Sequence, residues 1–116
     1  MLDQTVVANL REMSQHGDRE QLTRLVETFI GDSLSRIEAL NRGIDAADGP
    51  LIVGICHSLK GSSSSLGATR LAELCAELEE SASHNELANA VDLLRQLEAA
   101  FDLVRPALTA AFFTTT

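Results

Sequence analysis

The sequence predicts an all-α protein: an antiparallel up-down four-helix bundle with a short extra N-terminal helix capping one end. Three observations predict it. Apolar residues recur at gaps of three and four along most of the chain, the spacing of one helix face. No stretch alternates apolar and polar residues as a half-buried strand would. The periodic runs are joined by short turns, which makes successive helices antiparallel neighbours. Aromatic residues are only 3% of the 116, with no Trp or Tyr, so the core is built from Leu, Val, Ile and Ala. Residues 1–116 read as a single domain, long enough to bury roughly two thirds of its unfolded surface.

Taken in order, Asp3 is placed to cap a short helix with Val6, Val7, Leu10 and Met13 on one side, ended by His16-Gly17. Asp18 stands three residues before Gln21, a variant of the capping box. A long helix follows, marked by Leu22, Val26, Phe29, Ser33, Ile37, Leu40 and Ile44. Residues 46–50 (Ala-Ala-Asp-Gly-Pro) stop it and start the next, with Pro50 in the first turn. That next helix runs to about Leu66, where Gly67 breaks or bends it. A fourth carries Leu71, Leu74, Cys75, Leu78 and Ala82 and ends at the polar turn Ser83-His84-Asn85. The last carries Leu87, Val91, Leu94, Leu97, Phe101, Val104 and Leu108. Pro106 inside it removes the hydrogen bond to the Asp102 carbonyl and predicts a kink or an end.

Charge narrows the function. A net charge of −8 argues against nucleic acid and against an anionic membrane surface. No apolar run reaches the length of a membrane span, and no signal peptide is visible. Cys56 and Cys75 both fall on apolar helical stripes, so they read as buried free thiols in a reducing compartment. The expected location is the cytoplasm.

The middle of the chain carries the chemistry. In a helix from Pro50 to Leu66, His57, Lys60, Gly61 and Ser64 share one face, with Gly54 one turn before. Ile52, Ile55, Cys56, Leu59, Ser63 and Leu66 form the opposite, apolar face. Lys60 is the only lysine in the sequence. A glycine inside a helix costs about 1 kcal/mol relative to alanine. Gly54 and Gly61 lie on the histidine side, which points to clearance for an approaching molecule rather than for a neighbouring helix. Imidazole offers a neutral, nucleophilic nitrogen near neutral pH. Attack on a phosphoryl group would give a phosphoramidate, whose phosphoryl can pass on to a carboxylate. Such transfer asks for in-line positioning and charge neutralisation, and Lys60 is placed for the latter.

His-x-x-Lys-Gly-Ser-Ser-x-x-x-Gly-Ala, from His57 to Ala68, resembles the signature of histidine phosphotransfer (HPt) domains. The resemblance implies the same helical bundle and covers nearly the whole chain. It implies that His57 accepts a phosphoryl group from a receiver-domain aspartate and passes it to another receiver aspartate in a phosphorelay. Response-regulator receiver domains are then the partners. The chain needs no cofactor of its own, since magnesium and most catalytic groups belong to the receiver. Lys60 and Gly61 act with His57 as the reacting site, and Gly54, Ser58 and Ser64 meet the partner; Ser64 either contacts it or is merely small. With no ATP site the chain is a phosphocarrier rather than an enzyme, a monomer touching neither nucleic acid nor membrane. Domains of this family often stand at the end of hybrid sensor kinases.

Other readings compete with this one. A non-catalytic helical adaptor would dock a receiver-like partner on the same face without carrying phosphate. A small helical enzyme lacks a paired acid–base group near His57 in the sequence. Histidines are too few for most metal sites, and Gly61 to Gly67 lacks the features of a nucleotide loop. His16 and His84 read as ordinary turn residues. The acidic run at 77, 79 and 80 reads as a solvated face. Leu25, Ile30 and Leu34 either ring His57 or belong to the core.

Overall fold

The computed structural model describes residues 2–15 and 19–113, which form five helices and, among the described residues, no strand. They are α1 (Gln4–Met13), α2 (Arg19–Asp45), α3 (Gly49–Ser65), α4 (Thr69–Ser83) and α5 (Ala90–Phe112). α2 packs on α3 and α5, and α4 packs on the same two, so the four long helices close a square with α3 and α4 as its tightest pair. The result is a rod of 46 × 20 × 19 Å.

Local chemistry sets the helix ends. Asp3 caps α1 as expected, its Oδ1 accepting from the backbone N–H of Thr5 at 2.9 Å and of Val6 at 3.4 Å. The expected stop at His16-Gly17 and the Asp18 to Gln21 cap fall outside the described residues. Asp48 caps α3 through Leu51 N–H at 3.2 Å, with Pro50 in the first turn. α2, α3 and α4 all end the same way. The N–H two residues past the cap returns to the third-last helical carbonyl, and the N–H before it to the next carbonyl. In α3 these bonds run from Ala68 to Ser63 at 2.8 Å and from Gly67 to Ser64 at 3.1 Å. The residue between is left-handed in each case: Ala47, Gly67 and Asn85.

α1 straps one end of the bundle. The Asp3 N–H donates to the Gly67 carbonyl at 2.7 Å, and Arg11 Nε donates to the Ala111 carbonyl at 2.9 Å. Val7 is buried, whereas Met13, expected on the same apolar side, is 55% exposed.

The core follows the predicted stripes with three corrections. Ile44 is only half-buried, and Gly43 takes the inner place, because Ile52 Cγ1 of α3 lies 3.3 Å from where a Cβ would stand. α5 begins at Ala90 rather than near Leu87. Ala90 and Leu93 therefore fill the positions predicted for Leu87 and Val91, and Val91 is 50% exposed. Pro106 does not end α5, which continues to Phe112. Pro106 and Asp102 are both exposed, so the carbonyl that loses its partner can be solvated. Phe29 and Phe101 meet across the centre with ring centroids 6.3 Å apart, a tilted pair within aromatic contact range.

Candidate functional site

α3 presents two unlike faces. Ile52, Cys56, Leu59 and Ser63 are buried, and Leu66 beyond its end is buried with them; Ile55 is half-buried at the edge. Gly54, His57, Ser58, Gly61 and Ser64 are exposed, and the His57 side chain is 73% accessible. A Cβ added at Gly54 or Gly61 would meet nothing within 4 Å. The clearance inferred from the two glycines is therefore open space beside the ring, not room taken up by a neighbouring helix.

The two flanks of His57 differ. Towards α2, Ser62 and Ser65 turn back onto their own helix, donating to the carbonyls of Ser58 at 3.1 Å and Gly61 at 3.0 Å. They line a shallow groove of about 180 Å³ with Leu25, Asp32 and Arg36. Leu25 and Leu34 are 44% and 43% exposed, so neither belongs to the core. Ile30 and Leu34 lie more than about 150° around α2 from Asp32, on the flank turned away from α3. They do not ring His57.

The α4 flank is charged and built. Glu79 accepts from Lys60 Nζ at 2.7 Å through Oε1, and its Oε2 lies 3.3 Å from His57 Nδ1. The Glu79 side chain is only 20% exposed and that of Lys60 36%. The lysine ammonium, aided by the histidine, holds the Glu79 carboxyl below the usual carboxylate range against the opposing effect of burial. This corrects two expectations. Glu79 is not part of a solvated acidic face, although Glu77 and Glu80 beside it are exposed. His57 does have an acidic group beside it. The reason is tertiary: α3 and α4 fold back on each other around Gly67, and Cys75, one turn before Glu79, lies in the core. The carboxylate is thereby held at the seam rather than in solvent.

Beneath the ring, Cys56 and Cys75 are free and fully buried. Burial foremost pushes both thiols up to about 12, so they stay protonated and inert as nucleophiles. His84 sits at the end of α4 with its Nδ1 3.0 Å from the Glu80 carbonyl, a turn residue as expected; His16 lies outside the described residues. Among the described residues no group of three or more His, Cys, Asp or Glu is placed to hold a metal ion. No helix among them is long and apolar enough to cross a membrane.

A closed four-helix bundle that displays one imidazole on a cleared helix face, with a lysine one turn along, has the architecture of a phosphotransfer module. The comparisons agree. Residues 24–107 match the family model of the Hpt domain. The crystal structure of histidine-containing phosphotransfer protein B (HptB) from Pseudomonas aeruginosa PAO1 superposes with a TM-score of 0.89 at 36% sequence identity, covering 99% of this chain and 96% of that one. Histidine-containing phosphotransfer protein 2 of Arabidopsis thaliana is 26% identical over 106 residues, 89% of this chain and 68% of the relative. The chain belongs to the Hpt domain family, and its function is histidine phosphotransfer in phosphorelays.

Proposed function

We propose that His57 is the residue that carries the phosphoryl group. It accepts the group from the aspartate of one response-regulator receiver domain and returns it to the aspartate of another. The observation that carries this reading is the exposed imidazole in the middle of α3, flanked along the helix by two glycines whose missing side chains leave open space. Gly54 and Gly61 let the receiver descend onto the ring, and Ser58 and Ser64 lie in the contact. Lys60 supplies positive charge to the transferring phosphoryl group, one helical turn from the nucleophile. The receiver brings magnesium. The chain acts as one domain over residues 1–116, as a monomeric cytoplasmic carrier without an ATP site of its own.

Replacing His57 with Gln tests the assignment. The circular dichroism spectrum stays native, and label transfer from a phosphorylated receiver is lost completely. The native label is labile in acid and stable in base, as a phosphoramidate is and a serine ester is not. Retained labelling of the variant would overturn the assignment. Binding of the phosphorylated receiver by the native chain without uptake of label would favour an adaptor instead.

A further inference from the structure

We propose that Arg36 determines which receiver the protein accepts: its guanidinium recognises a carboxylate on the rim of the receiver's site, and Asp32 one turn away enforces the register. The inference deepens the phosphocarrier reading above and rests on it. Position comes first. α2 and α3 run antiparallel, and Ile52 Cγ1 lies 3.3 Å from where a Gly43 Cβ would stand, with Leu51 Cδ2 at 3.5 Å. Seven residues back along α2 from Gly43 is Arg36. Seven residues forward along α3 from Leu51 and Ile52 are Ser58 and Leu59. Seven residues make nearly two full turns, so Arg36 keeps the face of α2 that Gly43 turns to α3. Arg36 therefore stands level with Ser58 on the α2 flank of His57, opposite the Lys60–Glu79 pair on the α4 flank. The same count carries Asp32 to the level of Ser62, and both line the groove with Arg36.

Charge comes next. The chain carries a net −8, yet α3 contains no Asp or Glu. Lys60 is the only lysine, and its ammonium is already bound to Glu79 at 2.7 Å. Arg36 is in the opposite state. It is half-buried in the groove, and among the described residues its guanidinium has neither an ion pair nor a hydrogen bond. Asp32 stands four residues before it, the spacing at which Glu20 and Arg24 pair at 3.6 Å on the same helix. Asp32 and Arg36 do not pair. Ser62 and Ser65 donate to their own helix, so they do not hold either side chain.

The partner's chemistry supplies the complement. A protein that brings magnesium to a phosphoryl group holds the metal through one or two carboxylates and the phosphate oxygens. The surface that comes down on His57 is therefore acidic at its mouth. A chain of net −8 repels such a surface at long range. A free guanidinium at the edge of the docking face offsets the repulsion locally, and its planar fork of donors fits a carboxylate. Asp32 repels a carboxylate that arrives one turn, about 5.4 Å, too far along α2. An attractive group beside a repulsive one separates right from wrong partners better than attraction alone. Charges at the rim of an interface act mainly on the association rate and its salt dependence. Arg36 thus governs the choice of partner and leaves the chemical step to His57 and Lys60.

The test is rapid-quench transfer from the receiver domains encoded in the same genome, each loaded with acetyl phosphate. Receiver concentration is varied at low and at high salt, and the receiver with the highest kcat/KM for the native protein is the probe. Arg36→Glu should lower kcat/KM for that receiver about tenfold at low salt, through KM, with kcat unchanged. Arg36→Gln should lose about threefold and flatten the salt dependence. Arg36→Lys should recover most of the native value, because the charge is kept. Gln and Lys retain the aliphatic stem, so their melting temperatures should match the native one, and the pair decides the question without an added negative charge. Exchanging the charges, Asp32→Arg with Arg36→Asp, should reorder the receivers by kcat/KM. A native KM for Arg36→Glu at low salt, a Gln variant with the native salt dependence, a loss in kcat alone, or an unchanged order after the exchange would each overturn the proposal. A native protein that takes no label from any receiver defeats the phosphocarrier reading instead. The affinity of the same variants for the receivers, measured by titration, then still decides whether Arg36 selects the partner.

Discussion

Ala47 and Gly67 occupy the same place in two turns, one on each side of α3. Both follow a helix end by the same pair of backbone bonds: Asp48 to Gly43 at 2.9 Å and Ala47 to Ile44 at 3.1 Å in the first turn, Ala68 to Ser63 and Gly67 to Ser64 in the second. Both are left-handed, with φ of 51° and 76°. They differ in what lies beside them. Ala47 is exposed, so its side chain is open to solvent. Gly67 is buried, and a Cβ there would come within 3.2 Å of Asp3 N, Asp3 O and Val6 Cβ. The same local motif accepts a side chain when only its own backbone objects. It requires glycine when a third element seats on it. The turn residue at 67 is thus set by α1, more than sixty positions away in sequence, as much as by α3.

Three substitutions test that contrast. The largest effect is expected from Gly67→Ala, which adds the left-handed penalty of about 1–2 kcal/mol to the crowding against α1. The loss should be about 2 kcal/mol or more, a fall in melting temperature on the order of 10 °C. Transfer per folded molecule should be unchanged, since the turn is remote from the ring. Ala47→Gly should go the other way and stabilise by about 1 kcal/mol, relieving the same penalty with no packing to lose. Equal and small shifts for both variants in thermal melts would break the comparison. Gly61→Ala sharpens it with a glycine of a third kind, helical and open to solvent. It should gain at most about 1 kcal/mol in stability, because alanine suits a helix interior better. Yet it should slow transfer in rapid-quench kinetics. A displacement of the reacting atoms by about 1 Å can cost on the order of a hundredfold in rate, and a methyl group sets an upper bound near that. A native rate would mean that the space above Gly61 is not used by the partner.

Much of this was legible in the sequence because helical burial is periodic. The stripes through Leu22 to Leu40, Ile52 to Leu66 and Leu71 to Ala82 are core, apart from Ile55 at the edge. The start of α5 was misplaced because its cap, Asn89, makes no side-chain hydrogen bond and gives a weak local signal. Leu87 and Val91 have the right spacing but precede or miss the buried face. Glu79 was missed for a different reason. As one of three acids in four residues it looks solvated, and its partners lie nineteen and twenty-two positions away. A signal was nonetheless present. His57 and Glu79 stand eleven residues to either side of Ala68, so folding the chain back at Gly67-Ala68 brings them to the same level. Helix spacing identifies residues that share a face. Only the hairpin identifies the residue across the seam.

The lone lysine has a practical meaning that its pairing with Glu79 makes plain. Lys60 is the only lysine in the sequence, and its ammonium is half-buried and tied to a carboxylate beside the ring. An amine-directed reagent therefore meets no competing side chain anywhere else on the molecule. The extent of acylation at this one position becomes a covalent footprint of the site: slow while Glu79 holds the ammonium, faster once that grip is lost, and suppressed when a docked partner covers α3.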